Sequence, residues 1–341
     1  MKGFKKRFIA GCCAMLMCVS LAGCSDPGSS EEGTAAKGDG EKIVMGFSQI
    51  GAESGWRTAN TDDIKRAATD AGIDLQFSDA QQKQENQIKA IRSFIANQVD
   101  IIVLTPIVET GWDTVLKEAK DAEIPVLIVD RDIKCDDSLY VAKIGTDQTE
   151  EGRKAFKWLD SYLTEKKVEP KNGKTYGVAI LEGTVGSSAA TNRSAGWDEA
   201  LKASENKDKY EILAHQTGEF TRQKGKEVME SYLKTYKDQI DVLFSQNDDM
   251  ALGAIQAIED AGLKPGEDII IVGCDSVKDA LTAIKDGKMN ASIECNPLQG
   301  DLVMETAKKI LKGEEVERSV YVEESLFDAT NAAEALPNRK Y

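Results

Sequence analysis

The stretch VDIIVLTPIVETGWDTVLKEAKDAEIPVLIVDR (99–131) decides the fold class. Two short apolar runs, Asp100 to Leu104 and Pro125 to Asp130, flank a longer segment with helical spacing. Runs as continuously apolar as DIIVL and IPVLIVD suit strands covered on both faces, because a strand with one wet face would alternate. The same alternation extends outward in both directions. Further strands are expected at Lys42 to Phe47, Ile73 to Ser78, Tyr140 to Ile144, Thr175 to Leu181, Glu211 to His215, Val242 to Ser245, Asp268 to Gly273 and Ala291 to Glu294. Between strands, Glu85 to Val99 places Ile88, Ile91, Phe94, Ile95 and Val99 at steps of three or four, one buried stripe. Asp248 to Ala261 repeats the pattern with Met250, Leu252, Ala254, Ile255 and Ile258, and stops at Gly262 with Pro265 beyond. Repeated strand–helix units imply an α/β fold with parallel sheets and right-handed crossovers. In such sheets ligands bind beyond the carboxyl ends of the strands.

The amino terminus is of another kind. Lys2, Lys5, Lys6 and Arg7 precede an uncharged apolar run from Phe8 to Ala22, the order of a secretory signal spanning 1–23. The run is too short for a spanning helix, which needs about 20 apolar residues, and no later segment is apolar for that long. Leu21-Ala22-Gly23-Cys24 resembles the lipobox of bacterial lipoproteins, which assigns Cys24 as a lipid anchor on the extracytoplasmic face of the cell membrane. Residues 24–40 hold too few apolar groups to offset ordering entropy and read as a flexible tether. About 300 residues follow, enough for two domains. Loss of the leader, with four basic and no acidic residues, moves the formal charge from −15 to −19. A body this acidic repels nucleic acid and anionic headgroups, so no nucleic-acid partner is expected. The remaining Cys135, Cys274 and Cys295 match no zinc spacing; Cys274 with Cys295 could bridge in an oxidising compartment, or all three could be small core residues.

The residues just after the strands are polar and aromatic. They comprise Ser48-Gln49 and Glu53-Ser54-Gly55-Trp56-Arg57, Asp79, Thr105, Asp130-Arg131, Glu182 to Gly186, Asn247-Asp248-Asp249, Asp275 and Glu294, with Arg193 and Phe220 just past later loops. Carboxylates, amides, guanidiniums and a few rings converging on one end suit a polyol: hydroxyls need both donors and acceptors, and the CH-rich sugar face stacks on a ring. Taken singly, each residue has a plainer reading. Asp79, Asn247 and Asp248 could cap helices, Trp56 or Phe220 could simply pack, and Gly183 to Gly186 lacks the Gly-Lys-Ser/Thr ending of a phosphate loop. His215 is the only histidine and has no evident Ser or Cys partner.

The segments GFSQIGAESGWR (46–57), DAQQKQENQIKAIRSFI (79–95), LKEAKDAEIPV (116–126), VDR (129–131), GTVGSSAATNR (183–193), FTRQKGKEVMES (220–231) and NDDMALGAIQAIEDAGLKPG (247–266) together resemble, in order, the galactofuranose-binding proteins of bacterial ABC transporters. These belong to the ribose/galactose group of periplasmic sugar-binding proteins. The similarity runs from about Val44 to Pro297 and weakens over the last 40 residues or so. It implies the type I periplasmic binding fold: two Rossmann-like lobes, 41–146 with 297–325 and 147–296 with 326–341, joined by a three-stranded hinge. Carried over residue by residue, it implies sugar contacts from Ser48, Trp56, Arg57, Asp130, Arg131, Arg193, Phe220, Asn247 and Asp275, with Glu53 beside them on the first lobe. Where ribose binders carry a Gln before the last crossing, this chain has Glu294-Cys295, so sugar identity does not transfer from them.

The expected function is therefore capture of a monosaccharide, galactofuranose first, for an ABC permease and its ATPase, by a monomer that needs no cofactor or metal. The alternative is a sensing lipoprotein that presents a ligand, such as ribose or another hexose, to a receptor or sensor kinase. An enzyme would need a nucleophile, base or metal cluster; Asp130 and Asp275 could be cast as paired glycosidase carboxylates, but each is equally an acceptor for sugar hydroxyls held by Arg131 and Arg193. A sugar-responsive repressor shares the fold but carries a helix-turn-helix where this chain has a leader.

Overall fold

The computed structural model describes residues 42–341; the expected leader, Cys24 and the tether lie outside them. The first ten strands fall close to their expected places. The first sheet is built from β1 (Val44–Gln49), β2 (Asp74–Asp79), β3 (Ile101–Leu104), β4 (Val126–Asp130) and β5 (Ala142–Gly145), with α1 (Gly55–Asp70), α2 (Gln84–Ala96) and α3 (Asp113–Asp121) between them. The second follows with α4 (Gln148–Lys166), β6 (Tyr176–Glu182), α5 (Ser188–Ala203), β7 (Tyr210–Thr217), α6 (Arg222–Tyr236), β8 (Ile240–Ser245), α7 (Asp248–Asp260), β9 (Ile270–Asp275), α8 (Lys278–Lys285) and β10 (Ala291–Glu294). The chain then adds α9 (Gly300–Leu311), β11 (Ser319–Tyr321), β12 (Leu326–Asp328) and α10 (Ala332–Ala335).

The strand orders are β11-β5-β4-β3-β1-β2 and β12-β10-β9-β8-β6-β7, so each sheet is the core of one lobe and takes its outermost strand from the carboxyl-terminal segment. All pairings are parallel except β10 with β12. Two apolar clusters cover the faces of each sheet, one set containing Met45, Phe47, Ile101 and Val103, its opposite Ile91, Phe94, Ile102 and Leu104. Consecutive residues of β3 thus serve opposite clusters, which is why the run reads as continuously apolar.

The chain crosses between lobes three times: after β5 at 146–147, after β10 at 295–299, and between β11 and β12 at 322–325. β11 and β12 were not expected. They are three residues each, and β11 shows two exposed residues around a half-buried Val320, so no hydrophobic period marks them. Pairing with β5 and β10 orders them instead. The buried stripe of α2 is Gln87, Ala90, Ile91 and Phe94; Ile88 and Ile95 are half-buried and Val99 lies beyond the helix end. Cys135, Cys274 and Cys295 are all unpaired. The Cys274–Cys295 bridge therefore does not form: Cys274 is core of the second lobe, and the Cys295 thiol lies 3.4 Å from Thr146 Oγ1. Among the described residues no helix is long and apolar enough to cross a membrane.

Candidate functional site: a cleft between the lobes

Ser54 caps α1 with its hydroxyl, which accepts the Arg57 amide at 3.1 Å, and so aims the first turn of the helix at the second lobe. Trp56 leaves the first lobe altogether. It joins the apolar cluster of Phe220, Met250 and Cys295, and its indole nitrogen donates to the Cys295 carbonyl at 2.5 Å. The buried face of α1 mixes Arg57, Asn60, Thr61 and Asp63 with Trp56, Ile64, Ala67 and Ala68, so helical hydropathy hardly marks it. Three site residues sit at positive φ: Asp130 at 67°, Phe220 at 62° and Asp275 at 109°. Non-glycine residues avoid these conformations unless their surroundings hold them, and here each turns a side chain into the cleft at a strand end or loop. Gly183 makes room for one of them: a Cβ there would lie 1.9 Å from the Phe220 ring.

The cleft they form is lined by Glu53, Ser54, Trp56, Arg57, Asp130 and Arg131 from the first lobe, and by Gln148, Ala189, Arg193, Phe220, Asn247, Asp275 and Cys295 from the second lobe and its hinge. Arg57 donates to Asp130 at 2.7 Å and to Glu53 at 3.0 Å. Burial opposes its charge, but the two carboxylates outweigh that and raise its pKa. Arg131 is less well supported: its closest approach to Asp130 is 3.9 Å, and burial, then Arg57, outweigh Asp130 and Glu53 and bring its pKa down to about 10. In the second lobe Arg193 donates to Glu151 at 2.6 Å and to Asp275 at 3.1 Å, and also to the Gln246 carbonyl. Glu151 and Asp275 hold Arg193 well above its ordinary value despite burial. Glu53 Oε2, Arg57 Nη1 and Arg131 Nε are buried with no protein partner, a mixed set of acceptor and donors. Arg131 lies over the Phe220 ring at 5.2 Å, so cation and ring face each other across the cleft.

Of the expected site residues, Glu53, Trp56, Arg57, Asp130, Arg131, Arg193, Phe220, Asn247 and Asp275 line this cavity. Ser48 does not; it is fully buried in β1, where its carbonyl accepts from Thr105. Asn247 combines two roles, capping α7 through Met250 and donating to the Phe220 carbonyl at 3.0 Å. Asp248 is not a cap. It accepts from Val277 and Ser292, and burial pushes its pKa up to about 8. Glu294 turns away from the cavity to Arg339 and Tyr341. Ser54, Gln148, Ala189 and Cys295 line the cavity without having been expected as ligand contacts. Gln148 had no strand-end signal, because it opens a helix just beyond a hinge crossing; it donates to the Asp130 carbonyl at 3.1 Å.

A family model described as periplasmic binding protein domain matches residues 45–315. This chain belongs to the periplasmic binding protein family. It is 45% identical over 302 residues to the galactofuranose-binding protein YtfQ of Escherichia coli, covering 87% of this chain and 92% of that one. A Mycobacterium smegmatis protein solved in complex with β-D-fucofuranose superposes with a TM-score of 0.82 at 48% identity, covering 88% of this chain and 95% of its own. The periplasmic binding component of the arabinose ABC transporter of Shewanella sp. ANA-3, bound to α- and β-L-arabinofuranose, gives 0.81 at 47% identity, with 87% and 96% covered. YtfQ and the arabinose component are binding proteins, and the chain has the two-lobed type I fold of these relatives. The family is one of extracytoplasmic binding proteins, and the cleft between the lobes is the candidate site. Its carboxylates fit that role: Asp130 and Asp275 are each engaged by a guanidinium.

Proposed function

We propose that this protein captures one furanose sugar per chain, galactofuranose first, and hands it to the permease and ATPase of an ABC importer. The observation that carries the reading is the cavity in which Arg57, Asp130 and Arg131 of one lobe meet Arg193, Phe220 and Asp275 of the other. Its unpartnered donors and acceptor match the hydroxyls of a sugar, and Phe220 offers a face for the CH-rich side of the ring. The sugars named for the relatives above, galactofuranose, fucofuranose and arabinofuranose, favour a five-membered ring. The two lobes, 41–146 with 297–325 and 147–296 with 326–341, close on it as a clamp. A ligand that touches both lobes binds the closed form better, and that difference alone drives closure. The protein acts as a monomer tethered by lipid at Cys24 on the outer face of the membrane. Calorimetry with galactofuranose, galactopyranose, ribose and arabinose tests the specificity: one-to-one binding, tightest for galactofuranose, is expected. Tight binding of a pyranose or a non-sugar with no heat from any furanose would overturn it.

A further inference from the structure

We propose that Glu151 and Glu324 share one proton where the three inter-lobe segments meet, and that this clasp holds Arg193 at the cleft. Glu151 sits in the first turn of α4, just past the first crossing; Cys295 opens the second crossing, and Glu324 lies in the third. One ligating atom from each of these three residues lies within 4.8 Å of the others. Glu151 is fully buried, and one of its oxygens accepts from Arg193 at 2.6 Å. Its other oxygen, Oε1, and Oε1 of Glu324 are buried with no donor. Two carboxylates facing each other out of water repel unless something positive lies between them.

A proton fits that place better than a metal ion. Arg193 already supplies a positive charge beside Glu151 and disfavours a divalent cation there. Burial pushes the Cys295 thiol up, and it already pairs with the Thr146 hydroxyl, so it stays protonated and ligates poorly. The other charged groups around the pair are Lys154, whose ammonium donates to the Glu324 carbonyl at 3.3 Å, and Asp275 and Asp248 across Arg193. Burial first, then Glu151, push Glu324 up to about 11, with Arg193 and Lys154 working against them.

The pKa of Glu324 is raised above the unfolded value of about 4.3, so folding takes up a proton throughout the window from there to about 11. The pair's contribution to stability is full below the unfolded value and is lost as pH rises through that window. Glu324→Gln replaces the acid by a permanent donor to Glu151 and removes the dependence. Thermal unfolding of the whole protein, Glu324→Gln and Glu324→Ala between pH 5 and 9, with and without EDTA, reads this directly and needs no sugar. The melting temperature of Glu324→Gln should match the parent near pH 5 and exceed it increasingly toward pH 9, whereas Glu324→Ala should melt below the parent at pH 5.

The link to Arg193 rests on the sugar-binding reading and has its own readout. Galactofuranose affinity should stay within about twofold of the parent in Glu324→Gln and fall by about tenfold or more in Glu324→Ala, where Arg193 loses its backing. A pH-independent gap between parent and Glu324→Gln would overturn the shared proton. So would a parent melting temperature that falls with EDTA while that of Glu324→Gln does not, since that places a cation between the carboxylates. If Glu324→Ala does not fold, the pH slope of Glu324→Gln decides alone.

Discussion

Arg57 and Arg131 are both buried beside Asp130, yet they serve different ends. Each keeps one nitrogen unpartnered, but Arg57 is held by two carboxylates in the framework of the first lobe, whereas Arg131 is desolvated, stands beside a like charge and donates only to a neutral acceptor, the Ile107 carbonyl, at 3.0 Å. Such a group weakens the sugar-free protein and gains its partners from the ligand. Arg131→Ala should therefore cut sugar affinity at least tenfold, for the loss of charge-assisted hydrogen bonds worth roughly 1.5–3 kcal/mol each, without lowering the melting temperature of the sugar-free protein. Calorimetry and a melting curve on the same preparation separate the two effects; a lower melting temperature with unchanged affinity would make Arg131 structural. Asp130 and Arg131 were legible because they end a strongly apolar strand. Gln148 was not, because only the hinge brings the start of α4 to the end of β4.

The first turns of α1 and α7 meet across the cleft. Asp249 accepts from the Gly55 amide at 2.8 Å, so a carboxylate of the second lobe docks on the amino terminus of a helix in the first, while Arg222 holds it from behind at 3.0 Å. A carboxylate at a helix amino terminus is worth about 0.3–1 kcal/mol when exposed and up to about 2 kcal/mol when partly buried. Asp249 lies outside the cavity lining, so its contribution is to closure and not to sugar choice. Asp249→Asn, which keeps an acceptor and loses the charge, should release sugar roughly fivefold faster, corresponding to about 1 kcal/mol. The ratio of affinities between sugars should not change, and small-angle scattering at saturating sugar should show the same compaction as the parent. A shifted sugar preference would mean that Asp249 acts on the ligand itself. The backbone bond from the Glu109 amide to the Gly186 carbonyl, at 2.9 Å, clasps the opposite side of the cleft, which gives the glycine-rich loop at 183–186 a role between lobes.

The acidic body of this chain, −15 over the whole sequence, is repelled by anionic lipid. The anchor at Cys24 is therefore the sole attachment in the proposed arrangement. Cys24→Ala should move the protein from the membrane fraction to the medium or leave it with an uncleaved leader, as read by fractionation and intact mass. Membrane retention after cleavage would place the attachment elsewhere.

The local physics of the chain was enough for the α/β class, ten of the strands and the end of the sheets at which the cleft lies, because apolar runs between helical periods follow from which side chains must leave water. The motifs from Gly46 to Gly266 carried the family and most of the cavity residues. Contacts between segments far apart in the chain decided the rest. β11 and β12 have no hydrophobic period and exist only as partners for β5 and β10. Trp56 is expected on the first lobe as a sugar contact, and only the structure shows that its ring also packs into the apolar cluster of the other lobe. Glu151, Cys295 and Glu324 are separated by long stretches of sequence, and only the meeting of three crossings turns two ordinary glutamates into a buried pair. Burial and pairing are properties of the assembled surroundings, and no window of sequence contains them.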